Sequence, residues 1–80
     1  MDQEFAFEAR RVASRWQLTE ILDWMAHHGS SVLLNWGEDN KAWECSWITG
    51  GSRFTGFDAN PCQAAIHAIE NCLEKKESDE

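Results

Sequence analysis

At 80 residues the chain suits one domain with a small core, and a hydrophobic fraction of 42% argues against disorder. Fourteen acidic residues against seven basic ones, net −7, argue against a surface built to neutralise nucleic-acid phosphates. No apolar run approaches the roughly 20 residues of a membrane helix. The start Met1-Asp2-Gln3-Glu4 lacks the basic and apolar regions of a secretion signal. Three cysteines, an odd number, fit reduced thiols better than a disulfide framework, so a cytoplasmic location is expected.

The first 15 residues balance three acids against three arginines, so the entire net charge lies in residues 16–80. Within this opening stretch Phe5, Ala9, Val12 and Trp16 follow helical spacing. A second stripe, Leu18, Ile21, Leu22 and Met25, is equally regular. At about 100° per residue the two stripes point to nearly opposite sides. Either the helix breaks near Ala13-Ser14 or one long helix carries two apolar faces. Ser14 followed by Gln17 has capping-box spacing and favours the break. Residues 1–14 are therefore expected to form an N-terminal helical arm, with Phe5, Val12 and Trp16 available to a second copy or to a partner protein. The alternative is an arm folded back as a lid over the sheet.

The main domain is expected over 15–74. A helix from about Arg15 to His28 should end at Gly29, a residue that favours the left-handed conformation beyond a helix end. His27 and His28 are adjacent and face about 100° apart, which is poor geometry for a shared metal.

Val32, Leu34 and Trp36 alternate with Leu33 and Asn35, and Trp43, Cys45 and Trp47 alternate with Glu44, Ser46 and Ile48. Both runs have the period of two of a strand. Residues 37–41, Gly-Glu-Asp-Asn-Lys, form turn chemistry between them. Gly50-Gly51 closes a hairpin to a third strand through Phe54 and Phe57. A two-residue turn pairs Trp47 with Phe54. A three-residue turn through Ser52 pairs Trp47 with Thr55 and Cys45 with Phe57, and is preferred because it puts Phe57 on the Trp43–Cys45–Trp47 face.

The last helix is the best marked. Asn60 is an N-cap, Pro61 fits the first helical position, and Gln63 can reach back to complete a capping box. Cys62, Ala65, Ile66, Ile69, Cys72 and Leu73 then make one apolar stripe. The acidic tail 75–80 is expected to fray. The fold expected is α+β, α-β-β-β-α in order, with two helices packed on one face of a three-stranded antiparallel meander and the arm in addition.

That order resembles the double-stranded RNA-binding domain. Such domains hold phosphates with basic residues at the start of the last helix. Here those positions are Asn60, Pro61, Cys62 and Gln63, so RNA binding is not expected. Over residues 15–74 the chain also resembles small phage-encoded proteins of the phage ABA-sandwich type. Trp43-Glu44-Cys45, Phe54-Thr55-Gly56 and the run Pro61-Cys62-Gln63-Ala64-Ala65-Ile66 carry that resemblance. Ala59-Asn60 stands where an Asp–Thr pair is usual, and the arm is extra. The resemblance implies a viral or prophage origin.

Chemistry is sparse. Cys45, Cys62 and Cys72 fall at core positions, where thiols are usually inert, and no Cys-x-x-Cys pair is present. Gly50-Gly51 lacks the helix and Lys of a phosphate loop. No catalytic residue, cofactor or metal is expected. The function expected is inhibition of a bacterial defence-system protein, in the manner of anti-CRISPR proteins, by an acidic surface that occupies a groove meant for nucleic acid. Glu38, Asp39, Glu44, Asp58, Glu70 and Glu74 are the candidate partner-binding residues. The expected partners are that host protein and a second copy of this chain, with no direct nucleic acid and no membrane. Two other readings stand: a small-molecule or nucleotide-binding module that stacks a base on Trp24, Trp36, Trp43 or Trp47, and a virion or assembly component.

Overall fold

A computed structural model describes residues 3–78, and side chains through residue 75. The elements run α1 (Gln3–Ala13), α2 (Leu18–His27), β1 (Ser31–Gly37), β2 (Ala42–Thr49), β3 (Ser52–Asp58) and α3 (Pro61–Ser78). The protein is an α+β structure with one three-stranded antiparallel sheet in the order β1-β2-β3.

Helix α1 starts with Glu4 in its first turn and ends with Arg10 and Arg11 in its last, charges that complement the helix dipole. Its buried side is Ala6 and Ala9, whose small side chains let it lie close against α2 and α3. Phe5 and Val12 pack half-buried against the core. The arm therefore rests on the helical layer instead of lying over the sheet as a lid.

The helix breaks after Ala13, the favoured of the two readings of the opposed stripes, but without the expected capping box. Ser14 Oγ donates back to the Arg11 carbonyl at 2.7 Å. The cap residue of α2 is Gln17, which makes no side-chain capping bond. The main helix thus begins at Leu18, not Arg15. Between the helices Trp16 takes φ 62°, a left-handed conformation that turns the chain back on itself.

Gly29 is not left-handed, as glycine past a helix end was expected to be; the positive-φ glycines are Gly50 and Gly51. It is needed for close approach. A Cβ there would stand 2.5 Å from both the Ile48 carbonyl oxygen and Trp47 Nε1.

The β2–β3 register is the other departure. Trp47 pairs with Phe54 and Cys45 with Gly56, across a two-residue Gly50-Gly51 turn with φ of 61° and 78°. Both positive values suit a tight primed hairpin turn. The one-residue difference reverses the face of each β3 side chain. Phe54 and Gly56 point inward, and Phe57 is 52% exposed beside Glu44 on the helix-free face. Helix α3 explains why. It crosses β3 so closely that a Cβ on Gly56 would meet the Ala64 carbonyl oxygen and lie 2.5 Å from the Ala68 nitrogen. The site opposite Cys45 has no room for a phenylalanine.

Asn60 caps α3 as expected, its Oδ1 accepting from Cys62 N at 2.8 Å and, more weakly, from Gln63 N at 3.4 Å. The helix does not stop near Glu74 but continues to Ser78, so residues 75–78 are helical and not a frayed tail; residues 79 and 80 lie outside the described part. Lys75 helps anchor this end, with Nζ 3.3 Å from Ser52 Oγ and 5.8 Å from the Phe54 ring centre.

Helices α2 and α3 share the inner face of the sheet. Ile21, Met25, Cys45, Trp47, Ile69 and Cys72 are its largest fully buried side chains.

Candidate functional site

A cleft of about 520 Å³ opens between the end of α1 and the middle of α3. Its floor is the outer edge of the core, Ile66, Ile69 and Leu73, which the helical spacing of α3 brings into one line. Arg10, Ala13 and Ser14 form the α1 wall, and Glu70 and Glu74 the α3 wall. Trp16 stands at the mouth and is 57% exposed. A bulky residue at positive φ costs roughly 1–2 kcal/mol, and such strain recurs at functional positions.

An acidic strip continues from this cleft along α3. Glu74 and Glu70 are one turn apart, and Glu70 Oε1 lies 3.3 Å from His67 Nδ1. His67 Nε2 in turn lies 3.5 Å from Asp58 Oδ2. Asp58 also accepts from the Asn60 backbone N–H at 3.0 Å, which fixes the strand-to-helix junction. His67 therefore lies between two carboxylates.

The six acidic candidates do not form one patch. Asp58, Glu70 and Glu74 make the strip. Glu38 and Asp39 are exposed in the turn between β1 and β2, at the sheet end that also carries Asp58. Glu44 is half-buried on the opposite, helix-free face, between Asn35 and Phe57. Of the arm residues, Trp16 joins the cleft, whereas Phe5 and Val12 pack against the core.

The tryptophans separate similarly. Trp24 is half-buried in an aromatic group that runs from the core to the surface, with ring centres 5.4 Å from half-buried Phe5, 4.6 Å from exposed His28 and 5.8 Å from buried Trp47. Its Nε1 is buried and finds no acceptor among the described residues. Trp36 and Trp43 meet edge to face at 5.5 Å near one end of the sheet.

The Cys45, Cys62 and Cys72 thiols are buried. Burial pushes the Cys45 thiol up to about 11 and raises Cys62 as well, which keeps both protonated near neutrality. Among the described residues no group of three or more His, Cys, Asp or Glu side chains is placed to hold a metal ion. No helix among them is long and apolar enough to cross a membrane.

Sequence reasoning missed His67 as the link in the acidic strip, although its spacing to Glu70 was readable. It also missed Arg10 as a cleft wall, because that depends on where α1 docks. Comparison with protein-family models, with curated proteins and with solved structures returns no match.

Proposed function

We propose that this protein is a non-catalytic inhibitor that binds a basic surface of a bacterial host protein. The observation that carries this reading is the acidic strip Asp58–His67–Glu70–Glu74 running into an apolar-floored cleft with Trp16 at its mouth. An apolar side chain of the partner enters the cleft, and partner Arg and Lys groups face the strip. Aromatic anchors in pockets ringed by polar groups are the usual centres of protein interfaces. Charge complementarity of this kind gives selectivity and fast association more than raw affinity.

The wider setting follows from the same chemistry. A protein surface rich in Arg and Lys is commonly one that holds nucleic acid, so an acidic ligand competes with that cargo. Together with the phage ABA-sandwich-like pattern around Trp43, Phe54 and Pro61, this supports a phage or prophage protein that blocks a host defence complex in the bacterial cytoplasm.

A phage-protection assay in the defended host tests the proposal. The intact chain should neutralise the defence, and a Glu70→Lys, Glu74→Lys variant that keeps its fold should lose most of that activity. Full protection by the reversed variant would eliminate the acidic-mimicry mechanism. Protection lost with Trp16→Ser but not with the charge reversal would assign recognition to the cleft alone.

A further inference from the structure

We propose that the free edge of β1 is a dimerisation edge, where two copies pair β1 with β1 in antiparallel fashion about a two-fold axis and their sheets become continuous. The two edges of the sheet are unlike. On the β3 edge, Asn71 Nδ2 donates to the Thr55 carbonyl at 2.6 Å and Lys75 reaches Ser52, while the strand itself carries Arg53 and Asp58. Charges and covering side chains of this kind are how proteins keep an edge from pairing. The β1 edge has none of them. Ser31–Gly37 contains no charged residue and no proline, and among the described residues its backbone pairs with β2 alone. An uncharged seven-residue edge is a template for another strand.

The occupant that fits is a second copy. Each chain carries net −7, and β1 is a strip along which two such chains can meet without opposing like charges. Antiparallel pairing about a two-fold is self-complementary and closes at two copies. Leu33, 56% exposed on the helix-free face, and Trp36, 46% exposed on the other, extend apolar surface to the junction from both sides of the sheet. Such pairing also brings the end of one β1, with the Glu38-Asp39 turn, towards the start of the other, where His27 and His28 close α2.

Light scattering on the full chain over a wide concentration range, combined with amide hydrogen exchange, tests the proposal. The expected result is a dimer at high concentration, with alternate β1 amides, those facing outward, becoming protected as it forms. Leu33→Lys should weaken the dimer by at least about tenfold, whereas Thr55→Lys on the guarded edge should leave it unchanged. Added salt should tighten a dimer of two acidic chains, whereas it should weaken recognition through the acidic strip, so failure of one idea is distinct from failure of the other. A monomer at every concentration overturns the proposal. So does a dimer whose outward β1 amides exchange freely, or one equally sensitive to both lysine variants. Protection of β1 only on addition of a foreign extended peptide would assign the edge to another protein instead. Should Leu33→Lys fail to fold, the exchange pattern of the unaltered chain decides alone.

Discussion

Trp47 Nε1 donates to the Met25 carbonyl at 2.8 Å, a fully interior bond between the sheet and the last turn of α2. Carbonyls at a helix C-terminus are short of partners within the helix: the Met25 carbonyl has only a long bond from the His28 N–H, at 3.3 Å, which that donor shares with the Trp24 carbonyl. Strand β2 supplies the stronger donor, and Thr49 Oγ1 donates similarly to the His28 carbonyl at 2.6 Å. Trp47→Phe keeps an aromatic ring but leaves the Met25 carbonyl without this donor. Removal of such a buried partner costs about 1–3 kcal/mol. Urea denaturation of Trp47→Phe should show this loss, and Trp47→Ala should lose about 3–5 kcal/mol as a cavity is added. Equal stability of Trp47→Phe and the unaltered chain would mean that the bond contributes nothing.

Two glycines should respond to alanine for different reasons. Gly56 has a normal φ but no space, with α3 backbone against the added carbon. Gly50 has open space but φ of 61°. Gly50→Ala should cost roughly 1 kcal/mol, the left-handed penalty. Gly56→Ala requires α3 to move off the sheet and should cost about 1–3 kcal/mol, as overpacked cores do. Thermal unfolding of the two variants ranks them, and the reverse order would contradict the close packing of α3 on β3.

Trp16→Asn separates stability from recognition. Asn tolerates the left-handed conformation better than Trp, and the Trp16 side chain is largely exposed. The substitution should leave stability unchanged or raise it by up to about 1 kcal/mol. The same variant should weaken partner binding if the cleft is the recognition site. Lost stability with unchanged binding would make Trp16 a structural residue only.

Alkaline pH should destabilise the fold through Cys45. Its folded-state value of about 11 lies above the ordinary 9.0, so the folded state holds the thiol proton more tightly than the unfolded chain does. Between those values the unfolded state binds fewer protons, and stability falls as pH rises. Below about 9 the thiol is protonated in both states and contributes no slope. Denaturant midpoints measured from pH 8 to 11 should therefore decline for the native chain, and Cys45→Ala should remove part of that decline. Identical pH profiles would show that Cys45 does not titrate with unfolding.

Much of the architecture was legible because it rests on local chemistry. Asn60-Pro61 satisfies and pre-shapes the first turn of α3 wherever it occurs in space, and the period-two runs around Leu34 and Cys45 have one buried face in any packing. The opposed stripes ending at Trp16 and starting at Leu18 left open a break or one long helix with two apolar faces and favoured the break, which the structure places between α1 and α2.

What the sequence alone determined is therefore the kind and order of elements, the antiparallel meander and the acidic body. Tertiary structure decided the rest. The β2–β3 register depended on whether α3 could tolerate a side chain at position 56, a contact between segments that no local pattern reports. Whether Phe5 and Val12 remain free depended on Ala6 and Ala9 letting α1 approach the other helices. The cleft exists only because that docking brings Trp16 opposite Glu70 and Glu74, residues more than fifty positions apart in the chain. Hydrogen-bond chemistry and periodicity act over a few residues, whereas register, docking and clefts are settled by excluded volume between segments distant in sequence.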